Sequence, residues 1–132
     1  MLHVRYLRPP NLRCPSQINI LPWAQRTFIT TAANSLLLHY LLDPPISLRR
    51  VQWLANAQNE RSVKAAQRLG FKLEGIMRWH RVLPVGKDGA YPAGIEDKGD
   101  GRGPGRDTAM LSICWDDWRD GVRDKLKALQ ER

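Results

Sequence analysis

Residues 59–71, NERSVKAAQRLGF, constrain the fold more than any other stretch. Asn59 is a helix N-cap, and Val63, Ala66 and Leu69 recur behind it at helical spacing. Gly70 suits the left-handed residue just past a helix end, with Phe71 folding back onto the last turn. Strand patterns bound this helix on both sides. In LRRVQWL (48–54), Val51 and Trp53 oppose Arg50 and Gln52, while KLEGIMRWHRVL (72–83) is longer and contains Gly75, where a bulge or a close backbone approach is expected. Arg49 and Arg50 read as a solvated strand edge. Strand, helix and strand at this spacing imply parallel neighbours joined by a right-handed crossover, so the chain is expected to be α/β.

The remaining segments extend this unit. QINIL (17–21) reads as a short strand, and a helix is predicted over Thr30–Leu42 with Ala33, Leu36, Leu37, Tyr40 and Leu41 on its inner side. Pro44 and Pro45 prevent its continuation. TAMLSICW (108–115) reads as a strand that pairs back with 72–83, adding antiparallel character to a mixed sheet. A final helix is predicted over Asp116–Gln130, turning Trp118, Val122, Leu126 and Leu129 inward. Residues 86–106 hold seven of the ten glycines and read as a flexible loop, and residues 1–16 read as an irregular basic arm ahead of a domain over 17–132.

Composition limits the function. With 132 residues, 42% hydrophobic and 26% charged, the chain is one globular domain or part of one. It has no apolar run of about eighteen residues, so no membrane span is expected. The formal charge of +8 suits an anionic partner: nucleic acid, a membrane surface or a phosphorylated cofactor. Cys14 and Cys114 lack metal-ligand spacing, so neither a metal site nor a disulfide is expected, and a reduced, cytoplasmic setting is the default.

Three stretches together resemble the C-terminal part of a GCN5-related N-acetyltransferase (GNAT) domain, of the ribosomal-protein-alanine acetyltransferase type with fungal-style relatives. They are LPWAQRTFITT before the first helix, the pattern N-x-x-S-x-x-A-A-x-R-L-G-F-x-x-E-G over 59–75, and GRDTAMLSICWDDW at 105–118. The resemblance covers residues 17 to about 120. It implies the mixed-sheet acyl-CoA N-acyltransferase fold, acetyl-CoA as co-substrate, and transfer of the acetyl group to a primary amine on a protein N-terminus or a small molecule. Carried onto this chain, strands 17–21 and 48–54 splay apart around the cofactor, and Gln25, Arg26, Thr27, Phe28, Ile29, Thr30 and Thr31 form the pyrophosphate loop. Backbone N–H groups at a helix start favour a diphosphate, and Arg26 adds fixed positive charge. Phe28 and Thr30 stand where the commoner loop pattern has small residues.

The resemblance further implies that Asn59 and Ser62 reach the pantetheine arm and the sulfur end of the cofactor, with Asn59 also a cap. Many family members place a tyrosine seven residues after that asparagine as the acid for the leaving thiolate; here the position is Ala66. Ser62 is then the best remaining proton donor. As bases, Glu74 reads as structural and His80 as a surface imidazole. Trp115 and Trp118 read as core, and Trp79 as either core or acceptor wall.

A complete domain of this family has further strands and helices before its first cofactor strand, and MLHVRYLRPPNLRCPS does not resemble them. The expectation is a partial domain whose strand 17–21 is an uncovered edge open to self-association. Two other classes stay open: a non-catalytic remnant that keeps the fold, and a small basic nucleic-acid module. The near balance of Lys87, Lys98, Arg102 and Arg106 against Asp88, Glu96, Asp97 and Asp100 in the loop makes nucleic acid the unlikely partner.

Overall fold

The structure, a computed structural model, describes residues 2–4, 16–18, 28–87, 89 and 103–130. Its elements are β1 (Leu2–Val4), β2 (Ser16–Ile18), α1 (Phe28–Leu42), β3 (Arg50–Asn56), α2 (Glu60–Arg68), β4 (Lys72–Val82), β5 (Gly105–Cys114), α3 (Trp115–Asp117) and α4 (Arg123–Gln130). The result is the expected α/β class, with one difference in how the strands meet. β3 and β4 run in the same direction, as the crossover through α2 requires, but they are not neighbours. β5 lies between them, antiparallel to both. Strand composition explains the order. Ala109, Leu111 and Ile113 of β5 are buried, which suits a central strand, whereas Leu73 and Ile76 of β4 stay exposed, which suits an edge.

Register sorts the side chains by face. The pairs Val51↔Ile113, Trp53↔Leu111 and Ala55↔Ala109 fall on one face and join a single core with Leu38, Leu41 and Leu42 of α1. Ala66, Leu69, Phe71, Trp118 and Leu126 complete that core. The other face carries Arg50, Gln52, Ser112 and Cys114, so the alternation in 48–54 is the alternation of core against polar face.

The phase of α1 differs from expectation. Its buried residues are Asn34, Ser35, Leu38, Leu41 and Leu42, while Leu36 and Tyr40 are 64% and 65% exposed, and Ala33 also faces outward. The segment LLLHYLL is apolar nearly all round, so spacing alone does not choose the inner side. Asn34 can sit inside because its Nδ2 donates to the Thr30 carbonyl at 2.7 Å. The helix end is tied to the C-terminal segment: Trp118 Nε1 donates to Asp43 Oδ1 at 2.9 Å, and Arg123 Nε lies 3.2 Å from the same oxygen. Burial works to raise the Asp43 pKa, but hydrogen bonds from Trp118 and His39 and the charge of Arg123 outweigh it, leaving the carboxyl below its ordinary value.

α2 matches its sequence signals closely. Asn59 Oδ1 accepts from the Ser62 N–H at 3.1 Å, Gly70 takes φ +101°, and the Phe71 N–H returns to the Ala66 carbonyl at 3.1 Å. A Cβ on Gly70 would meet Val122 Cγ1 at 2.7 Å. Gly70→Ala is therefore expected to lower stability by about 1–3 kcal/mol, from the left-handed backbone and this contact together, as read by urea denaturation. In β4 the register slips between Leu73 and Gly75, the bulge expected at Gly75, and slips again between Met77 and Arg81.

Two further expectations are corrected. The single helix over 116–130 is broken, because Asp120 (φ −86°, ψ 17°) and Gly121 (φ +136°) interrupt it between α3 and α4. A glycine inside the pattern allows the left-handed step, and Trp118 and Leu126 still face the core. The segment 1–16 is not irregular throughout. β1 pairs with β2 through Leu2↔Ile18, His3↔Gln17 and Val4↔Ser16, so one edge of the strand read at 17–21 is covered by the chain's own start. Asn19–Leu21 and most of the glycine-rich loop lie outside the described residues, and β5 begins at Gly105, ahead of the expected 108.

Candidate active site

The end of β3 turns directly into α2. The Asn59 N–H donates to the Asn56 carbonyl at 2.8 Å, closing a tight turn, and Asn59 then caps the helix. Ser62 sits in the first turn with its Oγ accepting from the Trp53 indole N–H at 3.0 Å. Trp53 is fixed in turn by burial and by an edge-on contact with Phe71, ring centroids 5.5 Å apart. The indole occupies a lone pair of the hydroxyl and leaves its hydrogen to be donated elsewhere. A hollow of about 500 Å³, lined by Asn56, Gln58, Asn59, Glu60 and Arg61, opens beside the cap. The structure thus brings Asn59 and Ser62 together, and Asn59 acts as the cap its sequence position implies. Sequence spacing alone does not mark Trp53 as a partner of Ser62. The available signal was its indole N–H on the inward face of a strand, a donor that needs an acceptor when buried.

The other proposed cofactor residues divide in two. Phe28, Ile29, Thr30 and Thr31 form the first turn of α1, with Phe28 82% exposed. Gln25, Arg26 and Thr27 lie outside the described residues. The first turn holds no acidic side chain, so within it no carboxylate competes for the positive end of the 15-residue helix. That setting fits a diphosphate. Ala66, at the position of the family's tyrosine, is fully buried and serves as core packing.

Glu74 is structural, as the sequence reading had it. Arg50 grips it with two hydrogen bonds, Nη1–Oε1 at 2.5 Å and Nη2–Oε2 at 2.6 Å, and Ser112 Oγ donates to Oε1 at 2.6 Å. The Arg50 and Ser112 hydrogen bonds hold its carboxyl down to about 2, against an ordinary 4.5. A carboxylate so weakly basic does not take a proton from an ammonium near neutral pH. Arg50, expected at a solvated edge, is instead half-buried and clamped, because Glu74 lies on the same polar face of the sheet, beside Ser112. His80 is also drawn in, its Nδ1 lying 3.0 Å from Thr108 Oγ1.

The tryptophans separate as well. Trp118 is core. Trp115, expected there, is 47% exposed beneath the Arg119 guanidinium, 4.8 Å from the ring centroid. Both line a cleft of about 570 Å³ with Arg49 and Arg123. Trp79 adopts φ +51° and packs its ring on Gly105, where a Cβ would fall 2.2 Å from Cε3. Its backbone N–H donates to Asp107 Oδ1 at 2.8 Å. Cys114, Asp116 and Asp117 bring ligand-type atoms within 4.8 Å of one another. Asp117 is already engaged, by Lys72 Nζ at 2.5 Å and by the Cys114 N–H at 3.0 Å, so the group works as a helix-start clamp. No helix among the described residues is long and apolar enough to cross a membrane.

No protein-family model and no curated protein matches the chain. Solved structures do. A GCN5-related N-acetyltransferase from Brucella melitensis aligns with a TM-score of 0.61 at 30% identity, over 81% of this chain and 39% of its own. A probable acetyltransferase of the GNAT family from Chromobacterium violaceum ATCC 12472 aligns at 0.59 and 28%, over 80% of this chain and 43% of its own. The Microcin C7 self immunity acetyltransferase MccE, solved with acetyl-CoA and AMP, aligns at 0.51 and 22%, over 70% of this chain and 41% of its own, a likeness of fold. The chain spans less than half the length of each of these structures. Its α/β fold is that of the GCN5-related N-acetyltransferases, the acyl-CoA N-acyltransferase fold.

Proposed function

We propose that this chain binds acetyl-CoA and takes part in transferring its acetyl group to a primary amine, in the manner of the ribosomal-protein-alanine type of cytoplasmic N-acetyltransferase. The observation that carries this reading is the Trp53–Ser62–Asn59 arrangement at the end of β3, on a fold shared with acetyltransferases. The Ser62 hydroxyl is held by the indole at 3.0 Å with its hydrogen left to donate. The amine nitrogen attacks the thioester carbon, the C–S bond breaks, and the surplus proton of the nitrogen passes through the Ser62 hydroxyl to the sulfur. The products are an amide and a free thiol. In this reading Arg26 and the first turn of α1 hold the diphosphate.

Calorimetric titration of the purified chain with acetyl-CoA tests the binding step. Saturable binding that weakens about tenfold or more in Arg26→Ala is expected, the scale of a charge-assisted hydrogen bond. A folded, monodisperse sample that takes up no acetyl-CoA overturns the reading. Ser62→Ala is expected to retain that affinity while slowing transfer by about a hundredfold. Acetyl-CoA binding without transfer to any amine would instead identify a non-catalytic remnant. Asn59→Ala separates cap from ligand: a cap alone costs about 0.5–2 kcal/mol of stability and leaves affinity unchanged.

A further inference from the structure

Arg81 and Arg106 stand directly opposite each other across the β4–β5 ladder. Like charges so placed are unfavourable in a sheet. No carboxylate among the described residues pairs with either guanidinium. Arg106 Nη2 donates to Thr108 Oγ1 at 3.2 Å, which fixes its direction, yet its Nε is buried and has no partner. Burial and the neighbouring charge of Arg81 both push the Arg106 pKa down, so the pair is held against its own repulsion. Among the described residues, neither this buried donor nor the guanidinium beside it has an anionic acceptor, and the pair offers a site for one.

The location narrows what that acceptor belongs to. Thr108, which orients Arg106, is the cross-strand partner of Asn56, and the Ala57 N–H donates to the neighbouring Asp107 carbonyl at 3.0 Å. The arginine pair therefore sits at the same end of the sheet as the turn that leads to Asn59 and Ser62. Trp79, two positions before Arg81, packs on Gly105, next to Arg106, and stiffens that end of the strands.

We propose that Arg81 and Arg106 bind a carboxylate carried by the amine acceptor, an inference that rests on the acetyl-transfer reading above. The acceptor is then an amine that also bears an acidic group, which the two guanidiniums hold while its nitrogen reaches the thioester.

The test follows the Arg106 Nε–H resonance in the isotope-labelled chain during titration with acetate, with inorganic phosphate, and with acetyl-CoA. Acetate is expected to shift this resonance saturably at millimolar concentration, with the midpoint raised at least fivefold in Arg81→Gln and largely kept in Arg81→Lys. An unsaturated drift, the same with and without Arg81, overturns the proposal, and the wild-type titration alone delivers that result should a variant fail to fold. Phosphate binding tenfold tighter than acetate, or displacement of acetate by stoichiometric acetyl-CoA, reassigns the pair to a phosphate and also overturns it. Absence of acetyl-CoA binding by calorimetry defeats the acetyl-transfer reading instead, so the two failures are distinguishable. In transfer assays, an amine with a carboxylate should show a KM about tenfold below that of its carboxamide, and this ratio should collapse in Arg81→Gln.

Discussion

Leu38→Ala is expected to lower stability by about 3 kcal/mol, while Leu36→Ala, two positions earlier on the same helix, stays within about 0.5 kcal/mol of the parent. Leu38 is 1% exposed in the core and Leu36 is 64% exposed. Removing the first leaves a cavity against Leu41 and the sheet, and removing the second exchanges one solvated side chain for another. Urea denaturation of the two variants measures the phase of α1 directly. Equal losses, or a larger loss for Leu36, would mean that the helix presents the face suggested by sequence spacing alone.

Glu74→Gln is expected to cost about 1–2 kcal/mol at pH 7. Its pKa of about 2 against an ordinary 4.5 sets an upper bound of roughly 3 kcal/mol, reduced because the Arg50 and Glu74 side chains are 19% and 32% exposed. The sign follows from the depressed value. The folded state resists protonation more than the unfolded chain, so the contribution is complete above about pH 4.5 and fades as pH falls towards 2. Wild type should therefore lose its advantage over Glu74→Gln between those values. Stability curves that remain parallel from pH 7 to pH 2.5 would show that the Arg50–Glu74–Ser112 network does not hold the strands together.

The parts legible in the sequence are those set by neighbours along the chain. The Asn59 cap, the Gly70 stop and the bulge at Gly75 each follow from a few adjacent residues, and each stands where it was read. The contact of Asn59 with the Ser62 N–H is that cap's own hydrogen bond and follows from the same few residues. What escaped depends on residues far apart. The insertion of β5 between β3 and β4 is a choice of partners that alternation does not encode, since either strand pattern would accept either neighbour. Arg50 reads as a solvated charge because its partner Glu74 lies in another strand, 24 positions along the chain. The phase of α1 was hidden by apolar residues on every side. The kink at Gly121 did leave a signal, a glycine within an otherwise helical pattern, and an apolar stripe that runs straight through it masked the break.

The central position of β5 bears on how this chain is made. Among the described strands, Arg50–Asn56 finds its ladder only in Thr108–Cys114, and β4 likewise pairs with nothing but β5. During synthesis from the N-terminus, β3, α2 and β4 leave the ribosome before β5, the strand that pairs with both among the described residues, and those ladder groups wait on water or on a chaperone. The sheet closes in one late, long-range step, of the kind that makes folding slow. A ribosome that stalls before Gly105 releases two lone strand edges, and that nascent product is a substrate for aggregation and proteolysis rather than a smaller folded domain.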